Sequence, residues 1–209
     1  METKGTNHIK AIAFDLGGVL FDFDYNTALN KIKDSMDIST QEVIHALFHE
    51  NFTDDFERGL VSSHDFYLRF KQKTGLSLEY KDFVPIWCDI FVPKEESIAL
   101  VRSMRRHYKL LLISNVNELH YRFLKDRFGQ VFSLFDEEIL SFKVKQIKPF
   151  KEIYDLLLKR ARADLDELIY IDDRPDLVSE ARRQGFKCVQ FKDIQQCTRE
   201  LKDLGCLVS

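Results

Sequence analysis

Neither sign of charge prevails in this sequence: 31 basic and 34 acidic side chains leave a formal net charge of -3. A chain so balanced presents no broad field to a polyanion, so neither nucleic acid nor a membrane surface is expected as a partner. No apolar run approaches the ~18 residues needed to span a bilayer, and Met1 to Lys10 lacks the apolar stretch of a secretion signal. Cysteine is sparse. Cys88, Cys188, Cys197 and Cys206 form no C-x-x-C pair, and none stands at finger spacing with a histidine. Structural zinc is thereby excluded, and reduced, mostly buried thiols in a cytoplasmic protein are expected. Internal repeats and low-complexity segments are also lacking.

What the chain does carry is an ordinary globular composition, 44 % apolar and 31 % charged. Its length fits one domain, or a core domain with a smaller one inserted. Phenylalanine is unusually frequent at 18 residues, which points to aromatic packing in a core or in a lid over a pocket. Ile9 to Phe14 is short, apolar and followed by paired glycines, which predicts a buried strand ending in a tight loop. Tyr108 to Ile113, Leu168 to Ile171 and Phe186 to Phe191 follow the same pattern; Phe135 to Phe142 is a weaker, more polar candidate. Helical patterns fall between them. Residues 93–107 open with Pro93, carry two glutamates in the first turn and end basic, as the helix dipole favours. Residues 149–163 and 175–183 also open at or near a proline, Gly185 is a plausible stop for the latter, and 194–204 form the last helix. Such alternation predicts right-handed β-α-β units and a parallel sheet. Tyr25 to Val92 breaks it, with helical periodicity and few strand signals. The expected fold is therefore α/β: a Rossmann-like parallel-sheet core from residues 1–24 and 93–209, with a helical cap inserted at 25–92. An insertion there lies over the carboxyl ends of the strands, where open α/β sheets bind ligands.

Each strong strand pattern ends in residues suited to phosphate chemistry. The first runs into Asp15-Leu16-Gly17-Gly18, the second into Ser114-Asn115 and the third into Asp172-Asp173, while Lys148-Pro149 opens a helix. A parallel sheet brings all of these to one edge. Asp15, Asp172 and Asp173 cannot crowd together without a counter-charge, and hard oxygen ligands suit Mg²⁺. Lys148 supplies a cation facing the phosphate, and the Ser114 hydroxyl and backbone N–H groups supply neutral donors. Such a set stabilises charge on the equatorial oxygens of a transferring phosphoryl group. A carboxylate beside the metal can attack phosphorus to form an acyl phosphate.

Phe14-Asp15-Leu16-Gly17-Gly18-Val19, Ser114-Asn115, Lys148-Pro149 and Asp172-Asp173 resemble the four ordered motifs of the haloacid dehalogenase (HAD)-like superfamily, over nearly the whole chain. The insertion resembles that family's type-1 cap. Asp22-Phe23-Asp24, Glu57-Arg58-Gly59 and Ser114-Asn115-Val116-Asn117-Glu118-Leu119-His120 are similar to a branch containing sugar-1-phosphate phosphatases. The resemblance implies Asp15 as nucleophile and metal ligand, with Asp173 as the main second ligand and Asp172 beside it. It implies a Mg²⁺ contact from the Gly17 carbonyl, phosphate binding by Ser114 and Asn115, and Lys148 as the group that orients Asp15 and neutralises the phosphoaspartate. One departure matters: most phosphatases of the superfamily carry an aspartate two residues after the nucleophile as general acid and base, and Gly17 stands there. Asp22 and Asp24 are the nearest carboxylates in sequence.

Plainer roles compete for several residues. Asp15 and Ser114 could be simple caps, and Asp172-Asp173 could cap the helix near Asp176, itself a first-turn residue. His45 and His49 share a helix face but lack the glutamate of a zinc-protease motif, so a solvated face is expected. Trp87, Phe48, Phe52, Phe56, Phe66 and Phe70 are expected in the cap core, and Arg102, Arg105, Arg106 and His107 at a solvated helix end. The expected activity is Mg²⁺-dependent hydrolysis of a small-molecule phosphomonoester, with a sugar phosphate as the candidate substrate, by a monomer or homodimer. The alternatives are a metal-independent haloacid dehalogenase and a catalytically silent binding or regulatory protein, the latter kept open by Gly17.

Overall fold

The computed structural model describes residues 9–49 and 52–208, and the side chains of Phe48 and His49 lie outside that description. The chain runs through β1 (Ala11–Phe14), β2 (Phe21–Phe23), α1 (Tyr25–Ile32), a 3₁₀ turn (Lys33–Ser35), α2 (Thr40–His49), α3 (Asp54–Glu57), α4 (Ser63–Thr74) and α5 (Tyr80–Cys88). It continues through β3 (Phe91–Pro93), α6 (Glu95–Met104), β4 (Lys109–Ser114), α7 (Glu118–Phe132), β5 (Glu137–Leu140) and α8 (Ser141–Val144). It ends with α9 (Lys151–Ala161), β6 (Leu168–Asp172), α10 (Pro175–Arg183), β7 (Lys187–Gln190) and α11 (Ile194–Asp203).

Five strands form one parallel sheet in the order β5-β4-β1-β6-β7. The central β1 is buried along its whole length, which explains its unbroken apolar run. Its alternate residues feed two separate cores. Ile12 and Phe14 pack with Leu110, Leu112, Ile169 and Ile171 on one face. Ala11 and Ala13 pack with Leu111, Ile113, Leu168 and Tyr170 on the other. The chain leaves β1 through β4 and β5 on one side and returns through β6 and β7 on the other, so the crevice opens at the carboxyl end of β1. Register aligns that edge: Phe14 pairs with Leu112 and with Ile171.

Three features depart from the sequence reading. An antiparallel pair, β2 with β3, joins Phe21 to Pro93. Its strands are three residues long, too short to show periodicity. Pro93 therefore closes a strand, and α6 begins at Glu95, with Glu95 and Glu96 at the positive end of its dipole. Helix α7 had no distinct apolar pattern; Asn117 caps it by accepting from the His120 N–H at 3.0 Å. The four cysteines are free thiols, and among the described residues no helix is long and apolar enough to cross a membrane.

Between β2 and β3 the five helices α1 to α5 gather around their own apolar cluster, which includes Leu29, Val43, Phe56, Phe66, Phe70, Phe83 and Trp87. Phe56 stacks on Phe66 with ring centroids 4.3 Å apart, and Phe83 on Trp87 at 5.3 Å. Phe52 is partly buried against the same cluster. His45 is exposed. Leu119 of α7 joins the cluster from the sheet side, and the His120 ring lies parallel to Trp87 at 6.0 Å. Trp87 is thus one point at which the helical insertion rests on the sheet domain. Trp87→Ala is expected to lower unfolding stability by about 3–5 kcal/mol, measured by circular dichroism in denaturant; a loss below about 1 kcal/mol would refute this central packing role.

Candidate active site

Asp15 follows β1 directly, and its backbone N–H donates to the Ile171 carbonyl at 2.9 Å. The next residues turn tightly: Leu20 and Phe21 both donate to the Leu16 carbonyl, at 2.9 and 3.0 Å. Gly18 has φ +70, and a Cβ there would overlap the Asp173 carboxylate. Glycine is needed at that position for both conformation and space, because Asp173 comes down over the loop from the end of β6. At Gly17 the constraint differs. A Cβ there would stand 2.9 Å from Cε1 of the Phe23 ring, the outer end of a side chain that is 45% exposed.

Lys148 is the buried cation of the site. Its Nζ stands 2.6 Å from Asp172 Oδ2 and 2.9 Å from Asp15 Oδ1, and it donates to the Ile113 carbonyl at 3.3 Å. Asp15 Oδ1 is buried and meets the ammonium as an ion pair. Burial alone would pull the lysine down, but Asp15 and Asp172 together hold its pKa above the ordinary value, and the ammonium stays charged. Burial pushes the Asp15 carboxyl up, Lys148 pulls it back and Asp172 adds to the rise. Asp173, at the cavity wall, is also raised by burial and by Asp172.

The expected phosphate-binding pair divides its tasks. Ser114 is buried at the tip of β4 and lines the cavity. The Asn115 side chain is engaged elsewhere: its Oδ1 accepts from the Lys148 backbone N–H at 2.8 Å, and its Nδ2 donates to the Lys148 carbonyl at 3.0 Å. It clamps the lysine segment, so its carboxamide works on Lys148 instead of reaching for a phosphate. Asp172 is similarly engaged. Oδ2 takes Lys148 and the Tyr170 hydroxyl, and Oδ1 accepts from the Arg174 backbone N–H at 2.9 Å. Asp176 pairs with the Arg174 guanidinium at 2.6 Å.

A cavity of about 610 Å³ opens over these residues. Its floor carries Asp15, Gly17, Ser114, Lys148 and Asp173, and its roof carries Tyr25, Leu47, Thr53, Asp54 and Glu57 from the helical insertion. Asp22 and Asp24 do not line it. Asp22 pairs with Lys94 at 2.8 Å, and Asp24 caps α1 through the Asn26 N–H at 2.9 Å. Glu57 was not among the expected site residues, although its segment had been noted. Burial, with the Asp54 charge next, pushes its carboxyl up to about 7 against the opposing pull of Arg174. His120 also lines the cavity, and burial depresses its ring to about 4.

The donor set fits a hard divalent cation. Asp15, Asp172 and Asp173 each bring a carboxylate oxygen within 4.8 Å of the others, and one lysine does not neutralise three carboxylates. Asp15, whose Oδ1 faces Lys148, and the half-buried Asp173 both line the cavity, and Mg²⁺ tolerates a site with few protein ligands and several waters.

A family model described as haloacid dehalogenase-like hydrolase matches residues 9–185. The chain is 22% identical over 200 residues to a D-ribitol-5-phosphate phosphatase of Bacteroides thetaiotaomicron, covering 92% of this chain and 97% of that one. It is 25% identical over 200 residues to a sesquiterpene phosphatase of Aspergillus oryzae, covering 94% and 97%. Among solved structures, an HAD family enzyme of Bacteroides thetaiotaomicron in complex with magnesium and inorganic phosphate superposes with a TM-score of 0.78 at 25% identity, covering 88% of this chain and 94% of that one.

Two outcomes are expected from this geometry. Gly18→Ala displaces Asp173 and should weaken Mg²⁺ binding by roughly 10–100-fold, the usual scale for disturbing a ligand's support; unchanged affinity in calorimetry would mean that Asp173 is not a ligand. The second concerns Glu57. Its carboxyl is raised from 4.5 to about 7 on folding, so between these values the unfolded chain has released a proton that the folded chain retains. Stability falls as pH rises through that window. The melting temperature of the wild type should therefore drop relative to that of Glu57→Gln from pH 4.5 to pH 7, whereas parallel curves would contradict the raised carboxyl.

Proposed function

The chain belongs to the haloacid dehalogenase-like hydrolase family, and from that premise we propose that it hydrolyses a small phosphomonoester through an aspartyl-phosphate on Asp15, with Mg²⁺ as cofactor. The single observation behind this reading is the buried Lys148 bridging Asp15 and Asp172 at the floor of the cavity. A nucleophilic carboxylate held against a fixed cation, with a second carboxylate behind, suits attack on a phosphate dianion. The named phosphatases among the relatives and the solved structure holding magnesium and phosphate support it. A sugar or polyol phosphate fits the cavity volume of about 610 Å³ and remains the proposed substrate class.

In this mechanism one Asp15 oxygen attacks phosphorus and the ester oxygen departs on the opposite side. Asp15, Asp173 and the Gly17 carbonyl would hold Mg²⁺, while Asp172 acts from behind, orienting Lys148. The chemistry the cation supplies when bound is charge, offsetting the carboxylates and polarising a phosphate oxygen. Lys148, fixed by the Asn115 clamp, neutralises the phosphoryl group as it becomes bound to Asp15. The Ser114 hydroxyl donates to an equatorial oxygen, a contact of the kind worth roughly 10²–10³ in rate. Residues 25–92 act as a cap that excludes bulk water and selects what is attached to the phosphate. A metal-free attack on carbon would leave Asp173 with no task in a cavity that already resists its ionisation.

The test is phosphate release from a panel of sugar, polyol and aryl phosphates with and without Mg²⁺. Release is expected only with the metal, lost in Asp15→Asn to background and reduced roughly 10²–10³-fold in Ser114→Ala. Wild-type release that survives Asp15→Asn, or no release from any ester, would sink the reading.

A further inference from the structure

We propose that Glu57 is the acid–base residue of this site, giving a proton to the departing alkoxide and, as carboxylate, taking one from the water that frees Asp15. The inference rests on the phosphomonoesterase reading above. Its starting point is the missing carboxyl at Gly17. The ring of Phe23 lies against that position. Asp22 and Asp24 are engaged away from the cavity. Lys148 is locked between two carboxylates, and His120 holds its proton too weakly to be charged at neutral pH. The acid must come from the roof.

Glu57 lines the roof of the cavity that holds Asp15 and Gly17, and its segment is fastened to the sheet domain three times. The Ser141 hydroxyl donates to the Glu57 carbonyl at 2.6 Å. The Arg58 guanidinium lies over the Phe150 ring at 4.9 Å. Gly59 has φ +63, a Cβ there would overlap the Phe142 carbonyl, and its own carbonyl accepts from Lys145 Nζ. Glycine thus permits the turn to press onto α8. These contacts fix the backbone of Glu57 relative to the nucleophile, as a proton donor requires. The charged groups around its carboxyl are Asp54 on its own turn, Asp15 and Lys148 on the sheet edge, and Arg174 before α10, with Tyr25 of α1 also near. Their balance leaves a carboxyl able both to donate and to accept near neutral pH.

In the first half-reaction an Asp15 oxygen forms a bond to phosphorus, the bond from phosphorus to the ester oxygen breaks, and the Glu57 proton passes to that oxygen, releasing the alcohol. In the second, water adds to phosphorus, its proton returns to Glu57, and the phosphorus bond to Asp15 breaks, releasing inorganic phosphate and restoring both carboxyl groups.

The test compares wild type and Glu57→Gln, with Mg²⁺, on p-nitrophenyl phosphate and on the best alkyl phosphate of the panel. A general acid contributes ~10²–10⁴-fold, chiefly where the leaving group is basic, so kcat/KM should fall by that order on the alkyl ester and about ten-fold less on the aryl ester. Because the second half-reaction also slows, Glu57→Gln should show a burst of nitrophenol equal to the enzyme present, then slow turnover. Equal losses on both esters with no burst would overturn the assignment, as would Asp54→Asn showing this pattern in place of Glu57→Gln. A wild type with no Mg²⁺-dependent release from p-nitrophenyl phosphate would instead remove the underlying reading and the Glu57 role with it.

Discussion

The buried ion pairs of Lys148 are the constraint on which the rest of the site depends. Three carboxylates at the tips of two neighbouring strands repel one another, and burial raises two of them. The lysine makes that arrangement tolerable, and its own burial is tolerable only because two carboxylates and the Ile113 carbonyl surround it. Removing one partner of such a group typically destabilises by about 3–5 kcal/mol, since a buried charge is left behind. The supporting contacts follow from this. Asn115 holds the lysine backbone from both sides, and the Tyr170 hydroxyl occupies the Asp172 oxygen that faces inward. Even the parallel register matters, because pairing Phe14 with both Leu112 and Ile171 sets Asp15 level with the residues that flank it.

A site organised by one buried cation has a rigid half and an adjustable half. The strand tips that carry Asp15, Ser114 and Asp172 are buried and packed at one sheet edge. The roof is built on aromatic packing of the helical insertion, which meets the sheet domain where Leu119 and His120 approach Trp87. Apolar contacts of this kind are non-directional, so the roof could differ in sequence without disturbing the floor. The turn through Glu57, Arg58 and Gly59 adds directed contacts with the sheet domain near the cavity, as Ser63 does by donating to Glu118.

This contrast also explains which parts were legible in the sequence. Asp15, Ser114 and Asp173 stand in the sequence as polar residues after apolar runs, Lys148 stands before the proline that opens a helix, and the alternation of apolar strand patterns with helical ones predicts the sheet. The β2–β3 pair was illegible because three-residue strands have no period. Nothing local to Asn115 reveals that its side-chain amide will meet a backbone thirty-three residues away. Glu57 lies at the end of a four-residue helix among other acids. Its distinction arises only when the insertion folds back over the sheet and removes its carboxyl from water.

Gly17 and Phe23 belong to one local solution. With glycine two residues after the nucleophile, the aromatic ring from β2 can lie against the loop, and with the ring there a carboxyl cannot return to that position without displacing it. An acid on the nucleophile loop is present whether or not the roof is in place. An acid at Glu57 is present only while the turn is fastened to Ser141, Lys145 and Phe150. On the proposed mechanism, chemistry on a basic leaving group would require the closed arrangement, and so would release of a phosphoryl group from Asp15. Water reaching such a site with the turn released would meet the phosphorylated Asp15 without its base, so on this proposal the contacts that hold Glu57 in place would also tie completion of the reaction to enclosure of the substrate.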